Sequence, residues 1–302
     1  MRHTSIMTKL IMAFLAVTLI PLVLNSILSL GMNHESLIEN RKQGLMGAAR
    51  QTAEQIDSFI TGNMNMIRTQ SMLPEIGEYL EQPEEVRQAS ALKIRTMNIL
   101  ESFRKRDQVN ISSYALFNSH GERLLDTYSF MGLPSSDQRY FLEPLNTGLP
   151  YASPVLRARQ NKVASIFFSS PVRNPEGTII GVLRVRYNAA VIQKIVHEKE
   201  GFMGQGSVAL LLDEYGIRIA DSHDRDMVFK PAVSISPEQE QREKAEGRII
   251  MPLPESEALP DFHMKIGMIL EMPYFTTILY PGTSDEMLCA AATLKTRPWT
   301  IV

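Results

Sequence analysis

Few polar side chains in this 302-residue chain stand at the spacings that chemistry requires. His197-Glu198-Lys199-Glu200 lacks the second histidine, four residues on, that a zinc-protease helix needs. Asp221-Ser222-His223-Asp224-Arg225-Asp226 gathers metal-type ligands, but it reads as a polar loop after a strand, so no metal is expected there. Gly201-x-x-Gly204-x-Gly206 follows a helical pattern and precedes a strand, the reverse of the dinucleotide-binding order, and reads as a turn between modules. No Gly-x-Ser-x-Gly elbow occurs, and the single cysteine, Cys289, sits in an apolar run without a nearby histidine. No nucleophile and base are paired, so neither a catalytic residue nor a cofactor is expected. Arg184 and Arg186 are different. Strand alternation puts both on one face, and a guanidinium fork matches a carboxylate or phosphate.

The elements around these residues follow from composition and pattern. A hydrophobic fraction of 44%, a charged fraction of 21% and a net charge of −2 describe a folded chain without the cationic excess that nucleic-acid binding needs. Leu10 to Asn33 contains no charge and is long enough to cross a bilayer. Residues 1–9, with Arg2 and Lys9, are therefore expected in the cytoplasm, 10–32 as an uncleaved transmembrane helix, and the rest outside the cytoplasm. Leu45, Ala49, Thr52, Ile56, Phe59, Asn63 and Ile67 recur at three- and four-residue steps and predict a long helix continuing from the membrane. Leu73-Pro74 should end it, and a second helix is predicted from Val86 to about Arg106. The 33–106 region thus reads as a stalk with a second helix, a geometry suited to a homodimer.

After Asn110 the pattern turns to short strands. Ile111 to Phe117 runs into the turn Asn118-Ser119-His120-Gly121, and Leu124-Leu125 begin the return. Val163 to Val172 and Thr178 to Tyr187 form two more strands around Arg173-Asn174-Pro175-Glu176-Gly177, and Pro150 to Val155 reads as an edge. Asn188 to Lys199 is helical. Further β-rich runs are Phe262 to Ile269, Thr276 to Tyr280 and Cys289 to Leu294. Leu116 to Thr127 also aligns with Leu211 to Ser222, with Leu, Asn/Asp, Gly, Arg, Asp and Thr/Ser recurring in register. The pattern predicts an α+β fold of two tandem antiparallel-sheet modules.

Asp137-Gln138-Arg139-Tyr140-Phe141, Thr147-Gly148-Leu149-Pro150-Tyr151-Ala152-Ser153, Ser170-Pro171-Val172 and Gly177-Thr178-Ile179-Ile180-Gly181-Val182-Leu183 occur in that order. With Leu212-Asp213-Glu214-Tyr215-Gly216 and the terminal Thr296 to Val302, they resemble the double-Cache (PAS-like) sensor domains of bacterial chemoreceptors, sensor histidine kinases and cyclic-nucleotide signalling proteins. The resemblance implies a ligand-binding, non-enzymatic sensor in the bacterial inner membrane, periplasmic or extracellular, lacking its output domain. It implies a membrane-distal module over 107–200 and a membrane-proximal one over 201–302. The ligand pocket would lie under the loop from Tyr128 to Tyr151, with Arg139 as the anion fork, Phe141 as wall, Tyr151 as hydroxyl and Tyr128 as lid. Amino-acid-binding members carry an Asp on the strand that here reads Val182-Leu183-Arg184-Val185-Arg186-Tyr187, where this chain has Arg instead. Arg184 and Arg186 beside Arg139 disfavour an α-amino group and favour an organic acid. A membrane-anchored hydrolase and a structural ectodomain are the competing readings.

Overall fold

The computed structural model of the protein describes residues 6–87, 89–128, 138–157, 163–233, 235–246, 248–249, 268, 273–277 and 286–302. Helix α1 (Ile6–Ser71) runs for 66 residues, ~100 Å at the α-helical rise, with Pro21 inside it. Its second half carries the expected stripe: Ala49, Thr52, Ile56, Ile60, Asn63 and Ile67 are buried, and Leu45 and Phe59 half-buried. Burying each isoleucine stabilises by roughly 1.5–3 kcal/mol, so packing along this face holds α1 to the sheets. The first part instead exposes Leu10, Met12, Phe14, Val17, Ile20 and Leu22. Among the described residues no helix is long and apolar enough to cross a membrane. The 10–32 run lies within α1, and the side chains of 24–32 fall outside the described residues.

Pro74 opens α2 (Pro74–Glu81) at a position where its missing N–H is not needed. The single helix expected from Val86 to about Arg106 is instead two, α3 (Glu84–Arg87) and α4 (Ala91–Lys105). Ser90 divides them. Its backbone is extended and its Oγ accepts the N–H of Leu92 at 3.0 Å, so it caps a new helix.

The first sheet contains β1 (Ile111–Asn118), β2 (Arg123–Asp126), β3 (Tyr151–Ala152), β4 (Leu156–Arg157), β5 (Ala164–Arg173) and β6 (Ile179–Asn188). It is antiparallel in the order β2-β1-β6-β5-β3, with β4 also on β5. Alternation gives it two faces. Tyr114, Leu116, Phe168, Val185 and Tyr187 join the core shared with α1, where Phe59 meets Phe168 and Tyr187 edge-on at 5.9 and 5.8 Å. Ala115, Phe117 and Val182 pack instead with Tyr140 and Phe141 of α5 (Arg139–Thr147). Helix α6 (Ala190–His197) follows β6.

The second sheet contains β7 (Leu210–Leu212), β8 (Arg218–Asp221), β11 (Ala292–Thr293) and β12 (Thr300–Ile301) in the order β11-β12-β7-β8, while β9 (Tyr274–Thr277) pairs with β10 (Met287–Ala290). Helix α7 (Pro237–Glu246) lies between β8 and β9 in the chain. The Phe262 to Ile269 run falls outside the described residues apart from Met268, and only the start of the Thr276 to Tyr280 run is described, at the end of β9.

The two aligned hairpins match bond for bond. Asn118 N–H donates to Glu122 O at 3.0 Å, and Asp213 N–H to Ile217 O at 2.9 Å. Gly121 and Gly216 sit at φ 86° and 74°, which their missing Cβ permits. Asn118 Oδ1 accepts from His120 and Glu122, and Asp213 Oδ1 from Tyr215 and Ile217. The hydroxyls of Thr127 and Ser222 accept the N–H of Tyr114 and Ala209 at 2.9 and 2.8 Å. The ladder shifts register between Leu116 and Phe117, and again between Leu211 and Leu212.

One difference has a thermodynamic effect. The neutral Asn118 is replaced by Asp213, whose carboxyl burial pushes up to about 7 against its two N–H bonds and Arg248. The folded chain then holds a proton that the unfolded chain has lost between about pH 4 and pH 7, so stability falls as pH rises through that window. Asp213→Asn should remove a dependence on the order of a few kcal/mol and leave the variant more stable than the native chain above pH 7. Urea unfolding across that pH range reads this directly. A difference between the two chains that does not change with pH would contradict it.

Candidate functional site

The α5-covered face of the first sheet brings Arg184 and Arg186 together. In the ladder Arg184 lies between Ala115 and Ser169, and Arg186 between Ser113 and Phe167. Arg184 is only 6% exposed. Its Nη2 donates to Ser113 Oγ at 3.3 Å and lies 3.8 Å from Asp126 Oδ2, while its Cζ stands 5.5, 5.3 and 5.4 Å from the rings of Phe117, Tyr140 and Phe167. An aromatic face attracts a cation, so three rings and one carboxylate share the desolvated charge. Arg184 Nε and the buried Ser169 Oγ have no hydrogen-bond partner among the described residues.

Arg186 is half-buried. Its Nε donates to Ser165 Oγ at 2.9 Å and its Cζ lies 5.9 Å from the Phe167 ring. Burial, and then the neighbouring Arg184, lower its pKa from the ordinary arginine value. Among the described residues Asp126 is the carboxylate paired with Arg184. Asp126 Oδ2 also pairs with Arg123 at 3.0 Å, so one carboxylate serves two guanidiniums directly, and its charge also acts on Arg186.

The remaining expected residues fall in different settings. Arg139 is exposed at the start of α5. Phe141 is 2% exposed, 6.0 Å from the Phe117 ring, and forms part of the packing that seats α5. Tyr128 is exposed just after β2, its N–H held by Asp126 Oδ1 at 2.9 Å. The segment 129–137 of the expected lid, including Asp137 of the motif, falls outside the described residues.

Tyr151 is half-buried on β3, and burial raises its pKa while Arg297 pulls it down. The Thr147 to Ser153 motif places it. Gly148 adopts φ 67° and ends α5, and Ser153 Oγ accepts Phe167 N–H at 2.9 Å, tying the chain back to β5.

Sequence reasoning missed Asp126, Tyr140, Phe167, Ser169 and Arg297. Asp126 was accessible as a member of the repeated hairpin. Phe167 and Ser169 lie at alternate positions of a strand already recognised, but nothing in sequence says which strand neighbours β6. A cavity of about 550 Å³ lies elsewhere, between the end of the first sheet, α6 and β8, and contains none of the six expected residues.

Arg184 and Arg186 should respond differently to truncation. Arg184→Ala takes a buried cation from Asp126 and three rings and should lower unfolding free energy by about 3 kcal/mol. Arg186→Ala removes one hydroxyl contact at a half-exposed position and should cost about 1 kcal/mol or less. Chemical denaturation of both variants tests this order, and equal losses would contradict it.

No family model matches the sequence, and no curated protein matches it. Solved structures do. The sensor domain of the V. cholerae histidine kinase DctB superposes with a TM-score of 0.64 at 16% identity, covering 86% of this chain and 96% of that one. The ligand-binding domain of the Campylobacter jejuni chemoreceptor Tlp3, in complex with 4-methylisoleucine, gives 0.57 at 16% identity, covering 88% and 90%. The ligand-binding domain of the Pseudomonas aeruginosa amino acid chemoreceptor PctC, in complex with GABA, gives 0.56 at 16% identity, covering 86% and 97%. With long α1, two successive antiparallel sheets and paired hairpins, this chain has the double-Cache fold of these sensor domains.

Proposed function

We propose that the chain is a non-enzymatic sensor that binds a small carboxylate on the α5-covered face of its first sheet and relays occupancy across a membrane to an output domain. The carrying observation is the pair of arginines on that face. Arg184 and Arg186 stand on one strand, and Asp126, the carboxylate paired to Arg184, is shared with Arg123. Arg184 is held by its neighbours; the half-buried Arg186 and the exposed Arg139 are the guanidiniums assigned to the ligand, with the Tyr151 hydroxyl. Phe117, Tyr140 and Phe167 supply the apolar surround. Tlp3 and PctC were crystallised with ligands that carry an amine as well as a carboxylate. Here a cationic strand would repel an amine.

The proposal includes a membrane-distal module over 107–200, a membrane-proximal module over 201–302, an anchor over 10–32 and pairing of two copies through α1. The anchor is supported by the uncharged run and by the exposed Leu10, Phe14, Val17, Ile20 and Leu22 of α1, an apolar surface that water does not favour. Reporter fusions near residue 150 should be active only outside the cytoplasm, and cytoplasmic activity would overturn this topology.

Thermal shift of the full chain in detergent, against succinate, acetate, amino acids, amines and purines, identifies the ligand class, since a ligand of the folded state raises Tm by mass action. Stabilisation by carboxylates and not by amines is expected. For a stabilising carboxylate, Arg139→Ala and Arg186→Ala should each weaken calorimetric affinity by about 1.5–3 kcal/mol, the value of a charge-assisted contact. Silence across the panel would favour a structural ectodomain, and unchanged affinity in either variant would remove that arginine from the site.

A further inference from the structure

One row of residues crosses the first sheet at right angles to its strands. Asp126, Ala115, Arg184, Ser169 and Tyr151 are successive ladder partners on β2, β1, β6, β5 and β3. Directly opposed residues of an antiparallel ladder point to the same face, their Cβ atoms about 4.5–5.5 Å apart. The row therefore lies on the side covered by α5, where the Arg184 guanidinium meets the rings of Phe117, Tyr140 and Phe167.

Two polar atoms in the middle of this row are unsatisfied. Ser169 is fully buried, and its Oγ has no hydrogen-bond partner among the described residues. The same holds for Nε of Arg184, its partner across the ladder. The next arginine along β6 shows the contrast. Arg186 Nε donates to Ser165 Oγ at 2.9 Å, a serine two residues along β5 from its ladder partner Phe167. The corresponding position for Arg184 is Phe167 itself, which offers no acceptor. An arginine N–H can only donate, and a serine hydroxyl can donate. What both atoms lack is an acceptor. A carboxylate has two acceptor oxygens and no donor, so it answers both, whereas an ammonium answers neither.

We propose that Ser169 is a specificity-determining residue of the first-sheet site, its hydroxyl donating to a carboxylate oxygen of the ligand while Arg184 Nε donates to the same group. The inference rests on the reading of that face as a carboxylate site and deepens it by placing the carboxylate at the Arg184–Ser169 pair, between Arg186 on β6 and Tyr151 on β3. Both donor atoms are closed to solvent, so a ligand reaches them only when their cover shifts.

The test uses the full chain in detergent and has two readouts. Without ligand, Ser169→Ala deletes a hydroxyl that bonds nothing and should melt at or above the native temperature, whereas Ser165→Ala strips Arg186 of its acceptor and should melt below it. Ser169→Ala melting as far below native as Ser165→Ala, or failing to fold, would mean that the hydroxyl is already satisfied inside the protein, by a buried water for instance, and would overturn the proposal. Calorimetry with acetate and with succinate is the second readout. Ser169→Ala should weaken binding by about tenfold to a hundredfold, the loss of one hydrogen bond to a charged group. Ser169→Cys, similar in size but a weaker donor, should fall between Ala and the native chain. Unchanged affinity in Ser169→Ala while Arg186→Ala weakens binding would overturn this inference and leave the carboxylate site standing. Binding of neither acetate nor succinate to the native chain would overturn both.

Discussion

A guanidinium taken out of water must find charge and hydrogen-bond partners, and much of the first sheet is arranged around meeting that need for Arg184. Asp126 comes from the end of β2, Ser113 from β1, and the rings from β1, β5 and α5. Each of these elements is therefore tied to the same buried cation. Tyr140 and Phe167, 4.8 Å apart between ring centres, bring α5 down on β5. That contact fixes where the helix begins, and hence where Arg139 stands. The candidate site is the margin of a buried ion's solvation shell.

The second sheet meets a similar demand differently. Arg218 and Asp221 repeat Arg123 and Asp126 in the aligned hairpin, yet there both partners are buried, at 1% and 4% exposure. Arg248, also buried, reaches Glu214 at 3.0 Å, Glu243 at 3.4 Å and Asp213 at 3.9 Å, and its cation lies over Tyr215. Its charge is matched within the protein by Glu214 and Glu243. In the first sheet Arg184 has one carboxylate partner, Asp126, among the described residues. Two hairpins of the same geometry thus border different settings, one a charge cluster of Arg248 with Glu214 and Glu243, the other a face with Arg184 and Arg186.

Helix α1 makes the two sheets one structure. Its buried stripe packs on β5 and β6 at one level, through Phe59 against Phe168 and Tyr187, while Asp57 holds the turn that leads into β12. These two residues are neighbours along the helix. The first sheet and the terminal strand are therefore referenced to the same two turns of α1, which is why Arg297, in the turn before β12, reaches Ala152 of β3.

Local pattern carried much of this in the sequence. The α1 stripe, the Pro74 break, the hairpin turns at Gly121 and Gly216 and the common face of Arg184 and Arg186 follow from periods of 3.6 and 2 and from turn chemistry, which depend only on nearby residues. The split at Ser90 was locally encoded as well, by a capping serine inside an otherwise helical pattern. What only the tertiary structure decided was pairing at a distance. The placement of β5 beside β6 puts Phe167 and Ser169 next to the arginines, the seating of α5 makes Tyr140 a ring partner and Phe141 a packing residue, and the docking of the last turn on Asp57 carries Arg297 to Ala152, 145 residues away. Periodicity assigns a side chain to a face, but which charges share that face depends on long-range packing, because the cost of burying each charge is settled only when its partners arrive.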